Sequence, residues 1–300
     1  MKNNIENSSL KVIKTFRAHN DGIRSMSSFP SGKLISVSMD KSIKIWDINF
    51  NLIQIINEAH EFWINYVCVK DENNFLTCSL DRNIKSWIYK ENIFVLNKSI
   101  INAHDDKITK LIYYSNGDFI SCSDDKKIKI WEEVNDHKCQ IKSIIIHSSF
   151  ITSILLLEDK NFLVTSGHKG TFFWNINNNE YIFSIENTEC FYSGNSICRL
   201  DEYKIIIGGF HIISIISILE KKIIKKINNI IDCWGVYFIK YHNIFLGIGN
   251  RNIRIYSKDS YNCLQNINDV HDKFVNGIIY LKNGYIASHS IDETIKIWSY

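Results

Sequence analysis

Residues 18–46 read AHNDGIRSMSSFPSGKLISVSMDKSIKIW, and this segment carries a pattern that the chain repeats. Asp40 follows His19 after 21 residues, and Trp46 comes 6 residues later. The same spacing recurs in three further sets: His60, Asp81 and Trp87; His104, Asp125 and Trp131; His271, Asp292 and Trp298. Four such copies would hardly arise by chance, so the chain is built of repeats.

Three weaker copies fill the space between the third set and the last. His147 and Trp174 keep the 27-residue spacing, with His168 where Asp is expected. The fifth copy has Cys190, His211 and Ser217 at the three positions, and the sixth has Asn250 and Tyr256 in place of Asp and Trp. The seven Trp or equivalent positions (46, 87, 131, 174, 217, 256 and 298) are separated by 41, 44, 43, 43, 39 and 42 residues. A period near 42 made of short strands predicts an all-β, seven-bladed β-propeller.

Each repeat is predicted to form four short strands. In the first copy, Pro30-Ser31-Gly32 marks one turn and Asp40-Lys41-Ser42 another. The four predicted strands are Ile23–Phe29, Lys33–Ser38, Ile43–Ile48 and Asn51–Ile56.

The two ends of the chain predict how the ring closes. Tyr300 comes just after the third strand of the last copy, whereas Leu10–Phe16 is an alternating apolar segment before the first His. We therefore expect Leu10–Phe16 to supply the fourth strand of the last blade, because this pairing would cover two exposed sheet edges. Residues 1–9 are then a short polar tail and residues 10–300 a single domain.

Composition narrows the classes of function. A net charge of +3 and a pI near 8.3 do not indicate a nucleic-acid partner. The polar start MKNNIENSSL does not resemble a signal peptide, and no apolar run is long enough to insert in a membrane. Eight cysteines without a C-x-x-C pair indicate a reducing, intracellular compartment, most simply the cytoplasm, with the nucleus left open. We expect no metal and no cofactor.

One basic run needs its own interpretation. Lys221, Lys222, Lys225 and Lys226 are predicted to lie on the outer strand of blade five, as a solvated edge that resists aggregation. The alternative is a site for an anionic partner.

The recurring His, Asp and Trp residues have a structural explanation. The Asp can tie the backbone of its own turn. The His can bridge that carboxylate to a serine of the second strand, Ser36 or Ser38 in the first copy, and the indole N–H of the Trp needs a buried acceptor. A Ser-His-Asp set could suggest a hydrolase, but an active site occurs once and this set occurs four times. We therefore assign no catalytic residue and predict that the protein is not an enzyme.

The pattern resembles the WD40-repeat family over about residues 10–300. Trp46-Asp47 is a literal WD pair, whereas Trp87-Ile88, Trp131-Glu132 and Trp298-Ser299 stand at the equivalent places. Alanines (Ala18, Ala59 and Ala103) replace the Gly that usually precedes the His in this family. The resemblance implies a rigid, non-enzymatic platform that binds peptides or domains of other proteins and is monomeric outside its complex.

In related propellers, partners use one face through three positions in each blade. Two flank the first residue of the innermost strand, and the third directly precedes the turn Asp. Carried over to this chain, they give an aromatic set, an apolar set and two cations: Trp63, Phe150, Trp234 and Phe274; Met39, Leu80, Phe210 and Ile291; Arg24 and Lys107. Such a face would bind partner segments with apolar side chains. The alternative is that these side chains fold inward between blades.

Two functions remain open on the sequence. The first is a protein–protein interaction scaffold. The alternative is the substrate-recognition subunit of a ubiquitin-ligase complex, which would resemble family members with an F-box or a WD-x-R motif. Here Ile48 and Asn49 follow Trp46-Asp47, and no F-box-length extension accompanies the repeats.

Overall fold

The strands of the chain form seven antiparallel sheets of four strands each. The computed structural model describes residues 9–114, 117–135, 138–186, 188, 196–209, 211–228, 233 and 235–300. The innermost strands of successive sheets contact one another around a central axis, and the last contacts the first. This arrangement confirms the predicted seven-bladed propeller.

The strands are given from the inner to the outer strand of each blade. Blade one contains β2 (Ile23–Ser28), β3 (Leu34–Ser38), β4 (Ile43–Trp46) and β5 (Leu52–Ile56). Blade two contains β6 (Ile64–Val69), β7 (Asn74–Ser79), β8 (Ile84–Lys90) and β9 (Ile93–Ile100). Blade three contains β10 (Ile108–Tyr113), β11 (Phe119–Ser123), β12 (Lys127–Asn135) and β13 (Lys138–Ile146). Blade four contains β14 (Ile151–Leu157), β15 (Phe162–Gly167), β16 (Gly170–Asn175) and β17 (Tyr181–Ile185).

The remaining blades follow the same order. Blade five contains β18 (Ile197–Arg199), β19 (Lys204–Gly209), β20 (Ile212–Ser217) and β21 (Lys222–Asn228). Blade six contains β22 (Gly235–Ile239), β23 (Ile244–Gly249), β24 (Asn252–Ser257) and β25 (Cys263–Ile267). Blade seven contains β26 (Val275–Tyr280), β27 (Ile286–Ser290), β28 (Thr294–Ser299) and β1 (Lys11–Arg17). Two 3₁₀ turns, Glu158–Lys160 and Lys240–His242, link the first and second strands of blades four and six.

The ring closes as the sequence predicted. β1 runs antiparallel to β28, with Lys11 opposite Ser299 and Arg17 opposite Thr294. The strand is one residue later than the predicted Leu10–Phe16, since Leu10 lies just before it and is buried. The Leu10 N–H donates to the Gln265 side chain of blade six at 3.2 Å, so the closing segment also contacts the neighbouring blade.

The core lies between the blades. The second strand of each blade is almost completely buried, because it has a neighbouring blade on each face. Aromatic pairs across strands two and three add to this packing. Phe75 stacks on Trp87 with ring centroids 6.0 Å apart, and in blade six Phe245 stacks on Tyr256 at 5.0 Å. Tyr256 therefore takes the packing place of the Trp, as the sequence comparison had placed it.

The loops between the second and third strands divide the blades into two groups. In blades one, two, three and seven the loop has five residues, since β3 last pairs through Val37 with Ile43, and the other three blades match. We call these the Asp-turn blades. In blades four, five and six the loop has two residues, because Gly167 pairs with Gly170, Gly209 with Ile212 and Gly249 with Asn252. We call these the tight-hairpin blades.

This register corrects two positions assigned from spacing. His168 is the first residue of its two-residue loop, and it corresponds to the residue before the turn Asp rather than to the Asp itself. In blade five, Ile216 pairs with Ile205 in the way that Trp174 pairs with Leu163, and a register shift precedes both residues. Ile216, which is fully buried, therefore stands at the Trp position, and Ser217 does not.

Candidate functional site

The candidate site is the face that carries the loops entering each blade together with the loops between strands two and three. We call it the loop face. Backbone hydrogen bonds join the two kinds of loop, because the residue before the turn Asp donates to the residue at the start of the innermost strand. The donor–acceptor pairs are Met39 to Gly22 (2.9 Å), Leu80 to Trp63 (3.0 Å), Asp124 to Lys107 (3.2 Å) and Ile291 to Phe274 (3.0 Å). The predicted face positions therefore lie side by side.

A polar network lies beneath this face in each Asp-turn blade. In blade two, the Trp87 indole N–H donates to Thr77 Oγ1 at 2.9 Å, His60 Nε2 lies 2.8 Å from the same oxygen, and His60 Nδ1 lies 2.8 Å from Asp81. Blades one, three and seven repeat it with serine: Ser36 serves His19 and Trp46, Ser121 serves His104 and Trp131, and Ser288 serves His271 and Trp298. Nδ1 of these histidines lies 2.8–3.0 Å from Asp40, Asp125 and Asp292.

The chemistry of the groups fixes the direction of the protons. An indole N–H can only donate, so the hydroxyl must donate its own proton to His Nε2, which leaves Nδ1–H for the carboxylate. Burial lowers the pKa of His60 and favours the neutral imidazole. Burial alone would raise the pKa of Asp81, but the hydrogen bond from His60 and the backbone N–H groups bring it below its usual value. Every proton in the set is thus used once.

The Asp carboxylate also shapes its own turn. Asp40 accepts the N–H of Ser42 at 2.9 Å and the N–H of Asn20 at 2.9 Å, which joins the two loops. The residue after the Asp has a positive φ in each Asp-turn blade: Lys41, Arg82, Lys126 and Glu293. Between the two alternatives for the serine, Ser36 contacts His19, whereas Ser38 Oγ donates to the carbonyls of Asp21 and Gly22.

These sets have the hydrogen-bond order of a hydrolase triad but cannot act as one. The side chain of a nucleophile must reach its substrate. Ser36, Thr77, Ser121 and Ser288 are fully buried, and each hydroxyl is already bonded to an indole N–H. The arrangement can therefore hold loops in place, and it offers no reactive group at the surface.

An apolar strip crosses the loop face from blade seven to blade two. Trp63 is 41% exposed and Phe274 is 46% exposed. Between them, a Cβ added at Gly22 would lie 2.9 Å from Met39 Sδ and 3.0 Å from Ile291 Cδ1, so these two side chains meet over Gly22. We call Phe274, Ile291, Met39, Leu80 and Trp63 the apolar strip.

The comparison with family models gives the chain its place among known proteins. The model described as "WD domain, G-beta repeat" (WD40) matches residues 10–47, 51–87 and 96–132. Each match ends at or just after the Trp of an Asp-turn blade. With the seven-bladed ring, these matches decide the family. The chain is a WD40-repeat protein.

Similar proteins match short parts of this WD40 propeller. Mitochondrial division protein 1 of Aspergillus terreus is 28% identical over 96 residues, 31% of this chain and 14% of that protein. Its namesake in Neurospora crassa is 35% identical over 78 residues, 25% and 12% of the two chains. Lissencephaly-1 homolog 1 of Paramecium tetraurelia is 37% identical over 78 residues, 26% and 19% of the two chains. This chain thus covers less than a fifth of each relative. Membership of the WD40 family, whose propellers are typically non-enzymatic scaffolds, indicates a protein-interaction role.

The other residues predicted for the face of this WD40 propeller differ in what they contact. Phe150 is 40% exposed on blade four. Lys107 pairs with Asp124 at 2.8 Å, so blade three presents an ion pair where blades two and seven present apolar groups. Arg24 is half-buried, and burial lowers the pKa of its guanidinium. Trp234 and Phe210 lie outside the described residues.

The residue after the first position in each blade is used within the ring. Asn65, Thr109 and Asn276 each donate to the first inner-strand carbonyl of the next blade, at 2.8, 2.7 and 2.7 Å: Ile108, Ile151 and Ile23. These polar side chains therefore hold neighbouring blades together, which is the inward alternative weighed for this group of positions.

Three features of the loop face escaped the sequence analysis. Phe62, next to Trp63, is 56% exposed with the Lys41 ammonium 6.0 Å from its ring centroid. The His168 ring lies 5.5 Å from that of Phe150, a neighbour that the corrected register explains. A lysine two residues before the Trp donates to the carbonyl preceding the His; Lys44, Lys85 and Lys129 do so at 2.7, 2.7 and 2.6 Å. The recurring Ile-Lys before each of these Trp residues was the signal available for the lysines.

Two searches of the described residues concern other kinds of site. No group of three or more His, Cys, Asp or Glu side chains among them could hold a metal ion. Within the same part of the chain, no helix has the length and apolar character to cross a membrane.

Proposed function

We propose that this WD40 propeller is a protein-interaction scaffold whose loop face binds a partner segment with apolar side chains. The observation that carries the proposal is the apolar strip, in which exposed Trp63 and Phe274 stand at the two ends of the joined Met39 and Ile291. Contiguous exposed apolar groups on a folded protein commonly mark an interaction site. Scattered single residues would not carry this argument.

The rigidity beneath the strip supports the same role. The carbonyls of Trp63 and Phe274 accept the N–H groups of Leu80 and Ile291, and the network under each loop fixes the turn. A surface held in this way loses little conformational entropy when it binds a partner. Aromatic side chains in such a setting are common anchors of binding energy.

Polar groups border the apolar strip. The Lys107–Asp124 ion pair limits it at blade three, and Asp272 and Lys273 precede Phe274 on blade seven as exposed residues. An apolar centre with a polar rim is the usual anatomy of a protein–protein interface. The partner segment that fits this surface is therefore short, apolar at two or more positions and polar at its ends.

The test is a double substitution, Trp63→Ala with Phe274→Ala. Wild type and variant would be used to capture partners, which are identified by mass spectrometry and then titrated individually. Removing two aromatic anchors should weaken a specific partner about a hundredfold or more. The melting temperature should change by only about 2 °C, because both side chains are exposed.

A matched control separates this effect from general stickiness. Ile146 and Leu219 are exposed apolar residues outside the loop face, on or beside the outer edges of blades three and five. Ile146→Ala with Leu219→Ala should leave the same partner's affinity unchanged. A partner lost equally from both variants, or retained by both, would contradict the proposal. Unfolding of the first variant would show that the aromatics pack between blades. Recovery of ubiquitin-ligase subunits with wild type would favour the substrate-recognition alternative.

A further inference from the structure

A cavity of about 770 Å³ occupies the central axis of the ring. It is lined by the middle and the ends of the innermost strands, including Ser28, Tyr113 and Tyr280, so it reaches the face opposite the loop face. This volume falls within the range of small-molecule sites, roughly 300–1,000 Å³. The cavity is therefore distinct from the apolar strip and needs its own explanation.

Lys110 lies at the inner part of this cavity. It is the third residue of β10 and stands three residues before Tyr113 at the rim, a depth of about 10 Å at the usual rise per residue of a strand. Its side chain is almost fully buried, at 5% exposed. A lysine in such a place has to be accounted for, because an ammonium group loses its hydration when it is buried.

The surrounding residues leave room in front of Lys110. A register shift occurs at the same place in five innermost strands, and the residues just after it are Ser25, Tyr66, Lys110, Ser153 and Gly277. Three of these five are serine or glycine. A large basic side chain therefore shares its level of the ring with small neighbours, and the cavity is the result.

The contacts of Lys110 hold its ammonium group at the cavity wall. Its Nζ donates to Ser153 Oγ at 3.1 Å and lies 5.5 Å from the centroid of the Tyr66 ring. Burial lowers the pKa of Lys110 to about 8, so the group is still mainly protonated at pH 7. The positive charge is thus fixed in position between blades two and four.

The basic group at the rim is already neutralised. Arg199 forms two hydrogen bonds to the Asp159 carboxylate, at 2.6 and 2.7 Å, and its Nε donates to the Asp201 carbonyl at 2.9 Å. Its fork of donors is therefore directed at Asp159 rather than into the cavity. Among the described lining residues, Lys110 is the cation that an anion inside the cavity would meet.

The rest of the lining suits an apolar or aromatic body. Tyrosines stand on several sides of the cavity, together with aliphatic side chains of blades three to seven: Tyr66, Tyr113, Tyr237 and Tyr280; Ile112, Leu155, Val236 and Ile279. Few polar groups among many apolar ones is the composition expected of a small-ligand site.

We propose that the central cavity binds a small organic anion, a carboxylate or a phosphate ester carried on an apolar or aromatic group. The Lys110 ammonium is the counter-ion, and the tyrosines and aliphatic side chains pack against the body of the ligand. The site is independent of the partner surface on the loop face. It explains why a buried lysine stands where a methionine would fill the space without a desolvation cost.

The experiment is isothermal titration calorimetry with phenyl phosphate, benzoate and inorganic phosphate as separate probes. Wild type should bind phenyl phosphate or benzoate with one site per chain, and the stronger of the two identifies the anionic group. Inorganic phosphate should bind at least about tenfold more weakly, since it lacks the apolar body. No saturable binding of either aromatic probe, or equal binding of inorganic phosphate, would overturn the proposal.

Two variants locate the binding. Lys110→Met should weaken the better probe at least about tenfold, which is the effect expected from losing a charged hydrogen bond. Lys282→Met removes an exposed lysine on the same face and should change the affinity less than about twofold. The melting temperature of Lys110→Met should equal or exceed that of wild type, because a buried charge has been removed. Unchanged affinity in a folded Lys110→Met protein would overturn the proposal.

A measurement on wild type alone guards against a variant that fails to fold. Lysines are acetylated slowly with acetic anhydride, with and without phenyl phosphate or benzoate, and the sites are quantified by mass spectrometry. The better probe should slow acetylation of Lys110 about fivefold or more at saturation, and leave Lys282 unaffected. Equal rates at Lys110 with and without probe would count against the site.

Discussion

The two groups of blades in this propeller solve the same packing problem in different ways. The Asp-turn blades span strands two and three with five residues and tie the loop with a buried His–Asp pair. The tight-hairpin blades span the same gap with two residues and carry no Asp there. Both groups keep a buried large residue at the Trp position: Trp in five blades, Tyr256 in blade six and Ile216 in blade five. Hydrophobic packing is therefore the shared requirement, and the polar network is an addition to it.

Blade four shows what happens when the loop alone is changed. It retains His147, Thr165 and Trp174, and the indole N–H still donates to Thr165 Oγ1 at 3.0 Å. His147 Nδ1, however, contacts the backbone of Ser149, and its buried Nε2 has no hydrogen-bond partner among the described residues. Without the Asp to orient the ring, the imidazole turns away from the hydroxyl. The carboxylate is thus the member of the set that aligns the histidine.

The largest effect is expected from breaking the ring where the Asp-turn blades meet its seam. Removing residues 1–17 deletes β1 and exposes the edge of β28 in blade seven. We expect an insoluble protein, or a melting temperature lower by at least about 10 °C, since one of four strands of a blade is lost. Removing residues 1–8 alone is the control and should shift it by at most about 2 °C. Similar melting of wild type and the longer deletion would mean that β1 does not seal the ring.

A pair of identical substitutions measures the network directly. Thr77→Val in blade two leaves both His60 Nε2 and the Trp87 indole unpaired, whereas Thr165→Val in blade four affects only the Trp174 indole. At about 1–3 kcal/mol for each buried group left unpaired, the first change should cost about 2–4 kcal/mol and the second about 1–2 kcal/mol.

The measurement is urea denaturation of both variants beside wild type. Both substitutions replace threonine by the same β-branched residue at equivalent, fully buried positions, so differences in packing largely cancel. Equal losses of unfolding free energy in the two variants would show that the His60 contact contributes nothing.

The sequence predicted the Asp-turn blades well and the tight-hairpin blades less well, for a physical reason. An Asp that ties its own turn fixes the loop length, so His, Asp and Trp keep one spacing. In blade four, Ile151 pairs with Gly167 after 16 residues, where Ile64 pairs with Ser79 after 15, because the 3₁₀ turn Glu158–Lys160 adds a residue. The shorter hairpin then removes one residue. The 27-residue spacing survives, although the register inside it has moved, and His168 was misplaced for that reason.

Candidate sites were harder to predict than the fold. Spacing places Trp63 and Phe274 at equivalent points, but it does not show that Met39 and Ile291 meet over Gly22, which depends on two neighbouring blades. The central cavity likewise depends on residues at one level of five strands. Such contacts are set by the closure of the ring, and a single repeat read alone does not contain them.

The smallest predicted effect concerns acid. Burial is the main cause that lowers the pKa of both His60 and His147. A histidine with a folded pKa below its unfolded value of about 6.5 contributes stability that is complete above pH 6.5 and is lost as the pH falls toward the folded pKa. His60 lies beside the Asp81 carboxylate, which can accept a second charge-assisted interaction when the ring is protonated. Protonated His147 would place an N–H at Nε2, where the described residues offer no acceptor.

We therefore expect His147 to account for more of the acid sensitivity than its counterpart in blade two. The fall in melting temperature between pH 7 and pH 5 should be smaller in His147→Gln than in wild type by about 2 °C, the size of effect that corresponds to less than about 1 kcal/mol in a chain of this length. His168→Gln, in the same blade with an exposed side chain, is the matched control and should keep the wild-type slope. Differential scanning calorimetry at several pH values gives all three slopes. If His147→Gln falls as steeply as wild type, then the unpaired Nε2 does not limit stability in acid, and the difference between the two groups of blades lies in the loops alone.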